Sequence, residues 1–264
     1  MSHFPPVLLA AFRFAVTALV LVWFVRMPTG KWRDVAFISI FAFGIPYSLS
    51  YTAMKDLDVS TSVLLAQMEA PALILVAAIL LRETPTTRQA FGIGLALVGV
   101  VLLIGVVFGQ GNVLAVVLSL ASTVVWALGQ IKVRTLTGIG GFSTLAWASL
   151  FAVPQLLLIS FVLETGHAAV ISTASTGSWL AVIYLGVVMT ALGIGIWYQL
   201  LGRVPVIRLA PFLLLVPLIS ILGSVLLLGE RPTLLQLLGG LIILAGVAIV
   251  LTERTANDIA EAIT

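Results

Sequence analysis

The chain contains no cysteine, which excludes disulfides, thiolate catalysis and Cys-based metal sites and leaves the redox compartment undetermined. Histidine is almost as scarce: His3 and His167 are the only two, and both fall near the ends of apolar runs, outside any HExxH-like spacing. Charge is scarce as well, with 9% of 264 residues ionic against 61% hydrophobic. A soluble chain of this length must cover its surface with more polar groups than that. There are no paired acids and no nucleophile-elbow serine, so an enzyme is not expected. No nucleotide-binding loop is present either; Gly138-Ile139-Gly140-Gly141 has no strand before it and reads as a flexible turn. Neither a metal nor an organic cofactor is expected.

What the chain does have is apolar sequence in span-length pieces. A helix needs about 20 apolar residues to cross a bilayer, and nine runs near that length are bounded by charges, Gly or Pro: 6–25, 35–54, 60–81, 89–107, 113–131, 142–162, 179–200, 207–228 and 234–251. The fold class is therefore an all-α polytopic membrane protein with nine predicted transmembrane helices. The linkers are short and turn-like, as between antiparallel neighbours. A net charge of +3 would point to nucleic acid in a soluble protein, but here the cations punctuate apolar runs and act as topology signals. The expected partners are the lipid bilayer and a small-molecule substrate, without nucleic acid. After Leu251, the spacing of Arg254, Asp258 and Glu261 permits a short surface helix, with a frayed end favoured.

An internal repeat organises these runs. Leu81-Arg82-Glu83-Thr84-Pro85-Thr86, followed by Gly92 and Gly99, matches Leu228-Gly229-Glu230-Arg231-Pro232-Thr233, followed by Gly239 and Gly246. Tyr51 through Pro71 aligns without a gap on Trp197 through Pro217, and Phe4 to Phe14 lies more weakly over Phe142 to Ala152. The first copy covers 1–108 and lacks its opening helix; the second covers 109–252, and 253–264 is a tail. Five helices per copy would insert the copies in opposite orientations. With the Arg26/Lys31/Arg33 linker cytoplasmic, alternation puts Arg82, Arg88, Lys132, Arg134, Arg203 and Arg208 inside and leaves Lys55 and Arg231 outside, as the positive-inside rule demands. Inverted-topology repeats suit a secondary transporter working by alternating access, in a cytoplasmic (inner) membrane with the C-terminus cytoplasmic.

Several segments resemble the drug/metabolite transporter superfamily and, within it, the EamA-like exporters. Phe4-Pro5-Pro6-Val7-Leu8-Leu9-Ala10-Ala11-Phe12-Arg13-Phe14 looks like that family's second helix and Val125-Trp126-Ala127-Leu128-Gly129-Gln130 like its sixth. Gly193-Ile194-Gly195-Ile196-Trp197, Leu200-Leu201-Gly202-Arg203, Arg208-Leu209-Ala210-Pro211, Leu214-Leu215-Val216-Pro217 and Leu228-Gly229-Glu230-Arg231 are similar to bacterial exporters of cysteine-pathway metabolites and amino acids. The resemblance implies ten helices, a central cavity between the repeats and export driven by an ion gradient. The first family helix is missing here, and a misassigned start or a truncation is the favoured reason. Gln130 stands where the family usually has Asn, and Glu69 where close relatives have an amide. The function expected is export of a small polar metabolite, an amino acid or derivative, with proton coupling; the alternative is a multidrug-type cation/proton antiporter using Glu69. A homodimer is compatible with the family.

Polar residues inside the apolar runs are the site candidates. Arg13 is an intramembrane charge, functional or snorkelling to the headgroups, and Glu69 lies near the middle of its run. An Arg13–Glu69 ion pair is expected, because both helices run inward and the two depths nearly match. Gln67 suits a helix–helix hydrogen bond; Tyr47 faces a cavity or packs, and Tyr51 reads as an interfacial anchor. Ser122, Trp126 and Gln130 form one stripe at four-residue spacing, fit for an amino-acid-like ligand or for lipid. Trp197 and Tyr198 form an inner gate or an aromatic belt. Trp147 reads as packing, and Pro71 and Pro217, at equivalent places in the copies, read as hinges. Glu83 and Glu230 are expected to cap the last helix of each copy; Gly92, Gly99, Gly239 and Gly246 are expected to pack helices closely.

Overall fold

The computed structural model describes residues 4–80, 85–108, 112–136, 138–196, 219, 223, 225–227, 229 and 232–263, with side chains described only as far as 102 and 250 in the helices that contain those positions. Every regular element among them is helical: α1 Pro6–Leu21, α2 Trp32–Ile38, α3 Ile45–Ala53, α4 Val59–Ala66, α5 Glu69–Leu80, α6 Thr87–Phe108, α7 Val113–Thr135, α8 Gly141–Leu163, α9 His167–Thr173, α10 Thr176–Tyr184 and α11 Leu234–Ile263. Six spans are long and apolar enough to cross a membrane, namely Pro6–Phe24, Trp32–Ala53, Val59–Leu80, Val113–Thr135, Gly141–Leu163 and Thr176–Ile194; Thr87–Leu102 and Leu234–Val250 are shorter apolar stretches. Eight of the nine expected runs are helical over their described residues, and the ninth, 207–228, lies largely outside them.

Local chemistry explains the ends and interruptions. Pro6 opens α1 at the position where a helix has no use for its N–H, and Gly30, at φ 76°, turns the chain into α2. Between α4 and α5 the run expected to be continuous is broken. Gln67 and Met68 donate to Leu64 and Leu65, three residues back, because Pro71 has no N–H to offer the Gln67 carbonyl. The copies share one cap: Thr86 N–H donates to Gln89 Oε1 (3.0 Å) and Gln89 N–H to Thr86 Oγ1 (3.2 Å), while Thr233 and Gln236 repeat the exchange at 2.7 and 3.2 Å. These reciprocal boxes do the capping; Glu83 and Glu230 lie outside the described residues. The expected frayed tail is instead helical, since α11 continues to Ile263. The short helix α9 falls where only a linker was expected.

Two compact units result. The first comprises 1–52 and 128–203, the second 53–127 and 204–264, so each takes part of both copies and α7 contributes to both. In the first, Ala10, Ala11 and Phe14 of α1 pack with Leu145, Ala148, Ala152 and Leu156 of α8 around a fully buried centre. In the second, α6 lies along α11, with Ala96, Val100, Ile243 and Val247 in the seam. The expected glycine packing is formed there: a Cβ on Gly92 would stand 2.7 Å from the Gly246 carbonyl, and one on Gly99 2.7 Å from that of Gly239.

Neighbours agree with the alternation of linkers. Lys132 Nζ lies 2.6 Å from Asp34 Oδ1, which brings the start of α2 and the end of α7 to one end of the first unit. In the second unit Asn112 Nδ2 donates to the Asp56 carbonyl at 2.7 Å, and Gln236 Nε2 donates to Asp58 Oδ2 at 2.7 Å and to Thr61 Oγ1 at 3.1 Å. Linkers expected on the same side do meet.

Candidate functional site

Arg13 projects from α1 into a polar and aromatic setting built by the first unit alone. Its Nε donates to Thr190 Oγ1, and its Nη1 donates to the Tyr51 hydroxyl at 3.1 Å. The guanidinium carbon sits 5.4 Å from the Tyr47 ring centroid and 5.8 Å from that of Phe14, within cation–π range. Phe14 meets Tyr47 edge-on at 4.8 Å, and Tyr47 lies 5.8 Å from Tyr51. Within the first unit no described carboxylate pairs with Arg13. A guanidinium has five N–H donors, and two are used here. The rest include both on Nη2, so a planar carboxylate could still be met through a fork of hydrogen bonds.

Thr190 holds its place for a reason visible in the backbone. α10 continues into wide π-type turns over Leu185–Ile194, and the Thr190 hydroxyl donates to the Leu185 carbonyl five residues back, at 2.8 Å. A π opening exposes carbonyls that an α-helix would occupy, and such openings often serve sites. Gly186, in the same opening, gives its carbonyl to Thr17 of α1 at 2.9 Å. The third helix of the first copy has a matching opening, Ser39–Gly44, between α2 and α3. Carried back without a gap, the alignment of Tyr51 with Trp197 sets Ser39 on Leu185, so the two openings begin at equivalent positions. Here Gln155 of α8 donates to Ser39 Oγ at 2.9 Å and to the Phe151 carbonyl at 2.9 Å. Gln155 and Phe151 are the counterparts of Thr17 and Arg13. One opening therefore faces a cation, and the other an amide.

The remaining candidates are placed as follows. Tyr51, expected as an interfacial anchor, is instead a partner of Arg13. Trp147 packs as expected, buried, donating to the Arg26 carbonyl at 3.1 Å and meeting Trp32 edge-on at 5.2 Å. Gln67, expected to bond between helices, has among the described residues its Nε2 donating to the Val63 carbonyl of its own turn at 3.4 Å. Glu69 is not mid-helix, because the break at Gln67–Met68 makes it the first residue of α5, where the backbone dipole favours a carboxylate. It belongs to the second unit and Arg13 to the first, so the expected pair lies beyond what either unit shows alone. Ser122 is buried and donates to the Ser119 carbonyl at 2.6 Å. Trp126 is half-buried on α7 in the second unit, and Gln130, one turn on, belongs to the first. Trp197, Tyr198 and Pro217 lie outside the described residues. Pro71 follows the α4–α5 break directly.

Comparison with known proteins places the chain. The EamA-like transporter family matches residues 1–105 and again 110–252. A "probable amino-acid metabolite efflux pump" of Salmonella typhimurium is 31% identical over 263 residues, covering 94% of this chain and 86% of its own. A protein of the same description from Escherichia coli is 31% identical over 264 residues, with the same coverage. A solved crystal structure, 20% identical, superposes with a TM-score of 0.66 over 93% of this chain and 87% of the other, a likeness of fold alone. On these matches the chain is a multi-pass helical membrane protein belonging to the EamA-like transporter family.

Proposed function

We propose that this protein exports an amino acid or a close derivative by alternating access, with the proton as coupling ion. The observation that carries the reading is Arg13. A charge within a membrane span costs at least about 2.5–3.5 kcal/mol on insertion scales, and its neighbours here, Thr190, Tyr51 and Tyr47, are neutral hydroxyls and rings. Such a cation is balanced when an anion joins it, and the α-carboxylate of an amino acid fits the unused N–H donors. A lipophilic cation would be repelled, which favours the metabolite over the multidrug alternative. Two relatives described as probable amino-acid metabolite efflux pumps support the substrate class, and the duplicated chain supports alternating access.

The test uses purified protein in liposomes, with counterflow of a labelled amino-acid panel. Zwitterionic amino acids should compete, and Arg13→Gln should lower exchange at least about tenfold, the order expected for loss of a charge-assisted fork. Arg13→Lys should restore it only in part, since an ammonium cannot form the fork. Competition by lipophilic cations instead, with an Arg13→Gln variant as active as the parent, would overturn the reading. Topology has its own measurement: reporters after Lys31 and at Lys132 should read cytoplasmic and one at Lys55 external. A cytoplasmic report from Lys55 would end the inverted arrangement.

A further inference from the structure

The start of α2 and the end of α7 border a pocket that the export reading does not use. Gly30, Trp32, Arg33, Asp34, Phe37 and Lys132 line it, around about 800 Å³ of open space, and all six belong to the first unit. None of the groups that meet Arg13 is among them. Two kinds of wall face this space. One is cationic: Lys132 is held 2.6 Å from Asp34, and the charges of Lys31 and Arg33 also act on that carboxylate, so three cations surround one acid. Arg33 itself is exposed, with no hydrogen bond or ion pair among the described residues. The other wall is aromatic: Phe37 stacks on Phe41 with ring centroids 4.4 Å apart, and Trp32 is held edge-on by Trp147 at 5.2 Å and Phe151 at 5.9 Å.

Arg33, Phe37 and Phe41 follow one another at four-residue spacing, which sets a cation at the end of the span and two stacked rings in line behind it. Charge at the membrane surface with apolar groups below it is also the order of a phospholipid. We infer that this pocket holds an anionic phospholipid, its phosphate between Arg33 and Lys132 and its acyl chains along Phe37 and Phe41. A guanidinium meets phosphate oxygens through parallel N–H donors, and the Lys132 ammonium has three donors, of which Asp34 takes one. Three cations around one acid leave the local field positive, so a headgroup with a net negative charge gains more there than a zwitterionic one. A free phosphate would answer the cations but leave the rings uncovered, which favours the lipid.

Charge alternation assigns this end of the unit to the cytoplasm, where the leaflet carries anionic lipids and basic pockets between helices bind their headgroups. Bound there, the lipid would tie the start of α2 to the end of α7, at the place where the Lys132–Asp34 pair already joins them. The ligand class rests on the pocket and not on the export reading. The leaflet rests on the topology reading, which the reporters at Lys31, Lys132 and Lys55 check separately.

The full-length protein, delipidated in a neutral detergent, is titrated with phosphatidylglycerol or with phosphatidylcholine, and bound lipid is counted by native mass spectrometry. One phosphatidylglycerol should bind at least about tenfold more tightly than phosphatidylcholine, the order of one charge-assisted contact. Arg33→Gln, at an exposed position, should abolish that preference. Asp34→Asn should enlarge it, because a repelling carboxylate is gone and all three Lys132 donors are released. Equal binding of the two lipids, a preference kept in Arg33→Gln, or one reduced in Asp34→Asn overturns the proposal. Displacement of bound phosphatidylglycerol by an equal concentration of inorganic phosphate would make this a free-anion site and overturn the lipid as its occupant. Arg88→Gln removes one exposed cation from the second unit and should leave the preference as it is. A loss there as large as in Arg33→Gln would mean attraction to the whole basic surface and would overturn the pocket.

Discussion

The two compact units solve the problem of packing apolar helices in opposite ways. In the second unit α6 and α11 approach until glycine faces carbonyl, and the side-chain hydrogen bonds of this pair gather at the helix starts, in the Thr86/Gln89 and Thr233/Gln236 boxes and the Asp58–Thr61–Gln236 node. The first unit buries its polarity at span depth: Arg13, Thr17 and Thr190 against one π opening, Ser39 and Gln155 against the other. Hydrocarbon does not drive helices together, so close backbone contact and interhelical hydrogen bonds must do so. A seam of backbone against backbone has one arrangement. Hydrogen bonds to a π opening can be exchanged for others at modest cost, which is what a moving part needs.

If that contrast holds, the largest loss of stability should come from the second unit. A Cβ on Gly246 would lie 2.5 Å from the Gly92 carbonyl and 2.6 Å from the Ala96 amide, both backbone atoms. Gly246→Leu should therefore cost at least about 3 kcal/mol, at the upper end for overpacking, and should appear as a sharply lowered Tm in detergent. An unchanged Tm would mean that the seam yields and that the units do not differ in this way.

A smaller change of stability, but a larger one in transport, is expected in the first unit. Thr190→Val keeps shape but takes away the acceptor of Arg13 Nε and the hydroxyl that fills the Leu185–Ile194 opening. It should cost about 1–3 kcal/mol for an unmatched buried donor and reduce counterflow exchange. Gln155→Leu at the other opening should cost less, since no charge is stranded. Equal transport defects from the two would erase the asymmetry between the openings. The smallest effects belong to the caps: Gln89→Ala should lower stability by about 1 kcal/mol, and Gln236→Ala by more, because Gln236 also holds Asp58 and Thr61. A urea or thermal series on both variants would rank them.

Much of this was legible beforehand, and the misses have physical causes. Arg13 announces itself as a charge in an apolar run, but Tyr51 and Thr190 come from 38 and 177 residues away, and no local pattern encodes that meeting. The Thr-x-x-Gln box stands in the sequence at both places, while Glu83 and Glu230, which the dipole argument favours, lie outside the described residues. Glu164 carries no signal along the chain, since the partners of its carboxylate are the Val7 and Leu8 amides at the start of a different helix. Proline gave no reliable rule. Pro71 follows a break, whereas Pro154 sits inside an uninterrupted α8.

Hydropathy, a property read along the chain, determined by itself that this is a helical membrane protein, and charge alternation and internal repetition led to the expectation of a duplicated chain whose linkers alternate between sides. The units could not be read that way, because each joins halves of both copies and a contact between copies leaves no mark on either copy's periodicity. The π openings, the setting of Arg13 and the pocket between α2 and α7 were likewise decided only in three dimensions. There the bilayer offers buried polar groups no water, and each must take whatever partner the packing brings within reach.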